Sequence, residues 1–138
     1  MEMLETYRGC VYPWQADHVG HMNVQFYVAK FDEATWHFFS HYGITPTYQR
    51  EEKRGMAALE QHIYYHREVL PGSLIVIKSK LLEVKEKVFT YEHYMEDGET
   101  GEKVATMKLT VVHLDTEKRK SSEIPEAIVK NLRRDLGD

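Results

Sequence analysis

The sequence predicts a single α+β domain, and three observations carry that prediction. One segment near the N-terminus has a helical period and is dense in aromatic side chains. Four strand-like runs follow it without another long helical segment between them. The connections between the later runs are short, which suits antiparallel neighbours and leaves no room for the crossover helices of a parallel sheet. At 138 residues the chain fits one domain, 1–138, with a short C-terminal tail from about 124.

The first element, Tyr7 to Trp14, contains Val11, Tyr12 and Trp14 and is predicted as a strand. The polar, glycine-containing QADHVGHMN that follows has no periodicity and is predicted as a loop. From Val24 the spacing becomes helical: Tyr27, Phe31, Ala34, Thr35, Phe38 and Tyr42 fall at i, i+4, i+7, i+8, i+11 and i+15. Asn23 is a suitable N-cap, and Gly43 followed by Pro46 supplies the stop. Aromatic residues lie on more than one side of this helix, so it is expected to be surrounded. Four strands are then predicted: Met56 to Glu68, Leu74 to Val84, Val88 to Met95 and Val104 to His113. Pro71–Gly72 separates the first two, and Asp97–Gly98 to Gly101 forms a hairpin loop. Ile75, Ile77, Ser79 and Leu81 share one face, while Ala105, Met107, Leu109 and Val111 alternate with Thr106, Lys108 and Thr110. The tail, Ile124 to Leu136, is predicted as a helix with Pro125 at its start.

Composition narrows the function classes. Eighteen basic residues against 22 acidic ones leave a net charge of -4, which opposes non-specific nucleic-acid binding. No apolar stretch approaches the ~20 residues of a membrane span. The N-terminal MEMLETYRG has no apolar core region, so no secretory signal is expected. The one cysteine, Cys10, has no intrachain partner, which suits a reducing, cytoplasmic location. Nine Tyr residues are more than an ordinary core needs, and suggest a subunit interface or a pocket wall.

The densest set of reactive groups is Asp17, His18, His21 and Asn23, in the loop before the long helix. A helix start offers unpaired backbone N–H groups and a partial positive charge. Such donors stabilise an oxygen that becomes negative during acyl transfer. A neighbouring carboxylate can attack the carbonyl or deprotonate a water that does. The alternative is a plain helix cap, with Asn23 as its cap and the other groups facing water.

The run VYPWQADHVGHMNVQFYVAKFDEA resembles the signature of the hotdog-fold acyl-CoA thioesterases, in the 4-hydroxybenzoyl-CoA thioesterase-like group. Members share an aspartate, a short gap, Gly-His-Val/Met-Asn, and a Tyr entering the helix; here these are Asp17, Gly20, His21, Met22, Asn23 and Tyr27. The resemblance implies a long central helix wrapped by a five-stranded antiparallel sheet. It also implies a homodimer, in some members a homotetramer, with sites at the subunit interface. Asp17 takes the position of the catalytic aspartate, as nucleophile or general base. Backbone N–H near Val24 would polarise the thioester carbonyl, and Gly20, His21, Asn23 and Tyr27 would order the loop or bind substrate. The spacing of Asp17 and His21 is also similar to plant acyl-carrier-protein thioesterases, but Val19 stands where that branch has an Asn, which favours a mechanism centred on Asp17. The implied substrate is an acyl-CoA hydrolysed to a free acid and CoA, with no cofactor. A non-catalytic acyl-CoA-binding module of the same fold is the alternative.

Other candidates are weaker. Glu33, with Asp32, lies on the long helix and fits a polar strip as well as an acid. Glu60, His62, Tyr64 and His66 alternate on one face of their strand, and Gln61, Ile63, Tyr65 and Arg67 on the other, a pattern that fits an interface or pocket wall. His62 is the candidate for a second site residue there. A metal site built on His18, His21 and Asp17 lacks the usual ligand spacing, and none is expected. Lys118, Arg119 and Lys120 offer charge for a CoA phosphate. Tyr12, Trp14 and Trp36 offer faces for an aromatic or cationic acyl group.

Overall fold

In the computed structural model, residues 3–136 are described. The chain starts with β1 (Leu4–Cys10), a 3-10 turn at Pro13–Gln15 and α1 (Val24–His41). Then come α2 (Pro46–Glu52), β2 (Arg54–Tyr65), β3 (Leu74–Val84), β4 (Val88–Asp97) and β5 (Lys103–Asp115). A two-residue β6 (Lys120–Ser121) and α3 (Glu126–Leu136) complete it. The strands form one antiparallel sheet in the order β1-β3-β4-β5-β2, with β6 on β5, which is the hotdog arrangement of a curled sheet around α1.

The first strand lies earlier than expected. It ends at Cys10; Val11 still exchanges backbone hydrogen bonds with Ser73 and Gly72 ahead of β3, and Tyr12 to Trp14 turn away because Pro13 has no N–H to donate and starts the 3-10 turn. The α1 boundaries follow their predicted signals: Asn23 Oδ1 accepts the Gln25 N–H at 3.0 Å, and Gly43 takes φ +104° just past the helix end. Pro46 does more than stop the chain. Behind the Thr45 cap it opens α2, a polar seven-residue helix with no apolar period to announce it. The next strand ends at Tyr65, short of the expected Glu68.

One face of α1 is buried through Tyr27, Lys30, Phe31, Ala34, Thr35, Phe38 and Phe39. Opposite it the sheet presents Ile75, Ile77 and Leu81 of β3, Phe89, Tyr91 and Met95 of β4, and Ala105, Met107 and Val111 of β5. The helix is not fully surrounded in this chain. Gln25, Ala29, Asp32, Glu33, Trp36 and His37 form an exposed strip. The tail helix α3 buries Ile128 and Leu132, and its Asp135 accepts a hydrogen bond of 2.5 Å from the Tyr42 hydroxyl.

Five polar side chains cross this core as one line. The Thr6 hydroxyl donates to the Ile77 carbonyl, so Ser79 donates to Thr6 (2.7 Å) and itself accepts from His93 Nδ1–H (2.5 Å). His93 Nε2 then accepts from Thr35 (2.8 Å), and Thr35 accepts from Tyr91 (3.1 Å). The carbonyl at one end, which only accepts, sets the direction of every bond and the tautomer of His93.

Candidate active site

The loop from Gln15 to Asn23 is held by its own backbone. Ala16 and Met22 form an antiparallel bridge, the Asp17 N–H donates to the His21 carbonyl (3.1 Å) and the Gly20 N–H to the Asp17 carbonyl (3.0 Å). The turn needs φ +98° at Gly20. A Cβ there would meet no atom within 4 Å, so conformation and not space requires glycine. The Met22 side chain is buried, and its N–H donates to the Val69 carbonyl at 2.7 Å.

Within this frame both Asp17 oxygens are engaged. Oδ1 accepts the Val19 N–H at 2.9 Å and Oδ2 accepts Asn23 Nδ2 at 3.0 Å. The Asn23 amide, then the Val19 N–H, hold the Asp17 carboxyl below its usual range. Asn23 thus divides its amide, its nitrogen fixing Asp17 and its oxygen capping α1. The cap occupies the Gln25 N–H, and Phe26 N–H turns back to the Asn23 carbonyl. Among the described residues the Val24 N–H has no acceptor. A carboxylate and a free helix N–H therefore lie at the same helix start.

Asn23→Ala is expected to remove a cap worth about 1 kcal/mol, lowering Tm by roughly 3–6 °C. It also releases one Asp17 oxygen, so kcat/KM should fall well beyond the effect of the lost stability. Thermal melts and steady-state kinetics on one preparation check both.

A cleft of about 300 Å³ opens beside this helix start, lined by His21, Met22, Val24, Tyr27, Tyr65, His66, Arg67 and Glu68. His21 Nδ1 donates to the Met22 carbonyl at 3.3 Å. Tyr27 is buried, and its hydroxyl donates to the Arg67 carbonyl at 3.3 Å. Burial is the main cause that raises its phenol, followed by Tyr65 and Glu68.

Asp17, Gly20, His21, Asn23, Val24 and Tyr27 are thus brought together at one end of α1. Two other candidates are not. Glu33 lies on the exposed strip of α1, nine residues beyond Val24. His62 lies on the outer face of the sheet, 3.0 Å from Glu60 and beside Lys108. Of the residues that line the cleft, Glu68 was not singled out by the sequence, Met22 entered only as a motif element, and Tyr65, His66 and Arg67 entered only as part of a predicted strand that fits an interface or pocket wall. The alternation that placed Tyr65 and Arg67 on one face was their only signal. Among the described residues no group of three or more His, Cys, Asp or Glu is placed to hold a metal ion.

The thioesterase-like superfamily matches residues 11–132, from just ahead of this loop into α3. The chain belongs to that superfamily. Two curated relatives carry thioesterase activity in their names. One is an L-carnitine dehydrogenase/betainyl-CoA thioesterase of Agrobacterium fabrum, 30% identical over 84% of this chain and 24% of that protein. The other is a betainyl-CoA thioesterase of Pseudomonas aeruginosa, 24% identical over 88% of this chain and 76% of that protein. The chain therefore spans about a quarter of the length of the first relative and three quarters of the second. Among solved thioesterase-like folds, a Staphylococcus aureus hypothetical protein in complex with CoA superposes with a TM-score of 0.90. It is 17% identical, and the match covers 99% of this chain and 87% of that one. At that identity the likeness shows the fold alone.

Proposed function

We propose that this domain hydrolyses an acyl-CoA thioester to the free acid and CoA, with Asp17 as the reacting carboxylate and the Val24 N–H as the donor to the carbonyl oxygen. The observation that carries this reading is the Asp17–Asn23 pair, in which one side chain both aims the carboxylate and caps the helix. An ionised Asp17 attacks the carbonyl carbon, expels the CoA thiolate and leaves an anhydride that water opens; or it takes the proton from a water that attacks instead. In both routes the carbonyl oxygen gains negative charge where an unpaired N–H awaits it. Neither route calls for a cofactor.

The names of the two curated relatives make betainyl-CoA, whose acyl group is trimethylglycyl, the first ester to test. We assign the chain a homodimer, with a homotetramer as a further step. Supporting this, β2 is a 12-residue edge strand that leaves Leu59 and Tyr64 each 61% exposed. We place it in the cytoplasm on the strength of its free cysteine, Cys10. Among the described residues no helix is long and apolar enough to cross a membrane.

Incubating the protein with a panel of acyl-CoAs and trapping free thiol tests the activity. Release of CoA above the buffer rate is expected for at least one ester. Tight association without thiol release would make the chain an acyl-CoA-binding module instead.

A further inference from the structure

Val24 lines the cleft, so an acyl group whose carbonyl sits at the Val24 N–H meets the cleft's other walls. The rings of Tyr27 and Tyr65 stand 5.0 Å apart at 89°, a right-angled corner. Aromatic faces carry the negative side of the ring quadrupole and attract cations, quaternary ammonium groups among them. Glu68 shares the cleft and has no ion-pair or hydrogen-bond partner among the described residues. The cation next to it, Arg67, is paired with Glu102 and so does not neutralise it. The other titratable neighbours are engaged elsewhere: His21 with the Met22 carbonyl and His66 with Thr106 Oγ1 at 3.2 Å. The cleft thus joins two aromatic rings to one uncompensated carboxylate.

We infer that this corner selects an acyl group carrying a quaternary ammonium one methylene from the carbonyl, with Tyr65 and Glu68 as the residues that determine that specificity. The inference rests on the hydrolase reading and adds the part of the site that reads the acyl group. Reach decides between this corner and its rival. In such an acyl group the nitrogen lies ~2.5 Å from the carbonyl carbon, the same geometry as N–Cα–C in a peptide. Val24 and Tyr27 are less than one helical turn apart and line one cleft, so a carbonyl at the Val24 N–H puts the ammonium beside the Tyr27 ring. The second recess along α1, about 100 Å³ in volume, also pairs a carboxylate with aromatic rings, through Asp32, Trp36 and Tyr91. Asp32 is eight residues past Val24, ~12 Å along the axis, and lies out of range of a two-carbon acyl group.

The test compares betainyl-CoA with 3,3-dimethylbutanoyl-CoA, which has the same shape with carbon in place of the charged nitrogen. Wild type is expected to favour the charged ester by about tenfold or more in kcat/KM. Glu68→Gln and Tyr65→Leu should each cut that ratio at least ~3-fold, while Tyr65→Phe, which keeps the ring, should preserve it. Equal kcat/KM for the two esters in wild type overturns the inference and leaves the hydrolase reading standing. So does a preference that survives both Glu68→Gln and Tyr65→Leu. If neither of these two esters releases thiol while another acyl-CoA does, the inference is overturned and the hydrolase reading stands. If no acyl-CoA of the panel releases thiol, the hydrolase reading fails, and the ratio of the two Kd values by calorimetry decides the inference on the same variants.

Discussion

Asp17→Asn is expected to slow thiol release by roughly 10²–10⁴-fold while KM moves by only a few-fold. The amide nearly matches the carboxylate in shape, but it has one acceptor oxygen where the Val19 N–H and Asn23 Nδ2 now find two. One of those donors loses its protein acceptor at an exposed site where water replaces it, so little change in Tm accompanies a much larger fall in rate. The same two hydrogen bonds determine the pH behaviour. They lower the Asp17 pKa from 3.8, so the carboxylate stays ionised at every pH above that value. Loss of activity between pH 7 and 5 should therefore not titrate with this group. A kcat/KM profile with a pKa between 5 and 7 that disappears in Asp17→Asn would contradict the assignment. So would turnover by Asp17→Asn equal to that of wild type.

The second large effect is on stability. Burial pushes His93 down from 6.5 to about 3, and its ring is neutral, donating to Ser79 and accepting from Thr35. In the unfolded chain the ring binds a proton near its ordinary pKa. The folded state is therefore at its full His93-linked stability above about pH 6.5 and loses it as pH falls from there toward about 3. Between pH 7 and 4.5 the loss is on the order of 3 kcal/mol, or roughly 10 °C in Tm. His113, lowered mainly by its burial, adds to the loss with the same sign. Differential scanning calorimetry across that range checks the slope, which should flatten in His93→Gln even though that variant melts lower at pH 7. A wild-type Tm constant from pH 7 to 4.5 would remove His93 as a stability switch. Acid inactivation should then follow the melting curve, not the ionisation of Asp17.

Much of this was legible in the residues themselves. The long helix declared itself through the 3.6-residue spacing from Tyr27 to Tyr42 and through Asn23 and Gly43 at its ends. The later strands declared themselves through the alternation that Ile75, Ile77 and Leu81 exemplify. Asp17 and Asn23 stood out because a carboxylate and a cap within one loop are a local pattern. The predicted strand of Tyr65, His66 and Arg67 was legible as an interface or pocket wall, but that it faces the Asp17 loop was not, for a physical reason. Tyr65 to Val69 come some 40 residues later, and they reach the loop through the carbonyls of Arg67 and Val69, which carry no side-chain signature. The line from Thr6 to Tyr91 stayed hidden because its members come from four separate elements. Each looks like an ordinary polar alternate until the sheet curls and sets it against the others. The seven residues of α2, with Tyr48 alone packed against the core, gave no period to detect.

Those two carbonyls have a mechanical meaning. Met22, behind the reacting loop, is tied to Val69, and Tyr27, on the helix, is tied to Arg67. The loop-and-helix wall is thus riveted at two points to the stretch of backbone that forms the opposite wall, so the gauge of the cleft is set before any ester arrives. A substrate that fits meets no entropic charge for ordering the groove. One that is too wide has no hinge to pry open, and selectivity for bulk near the thioester should be steep.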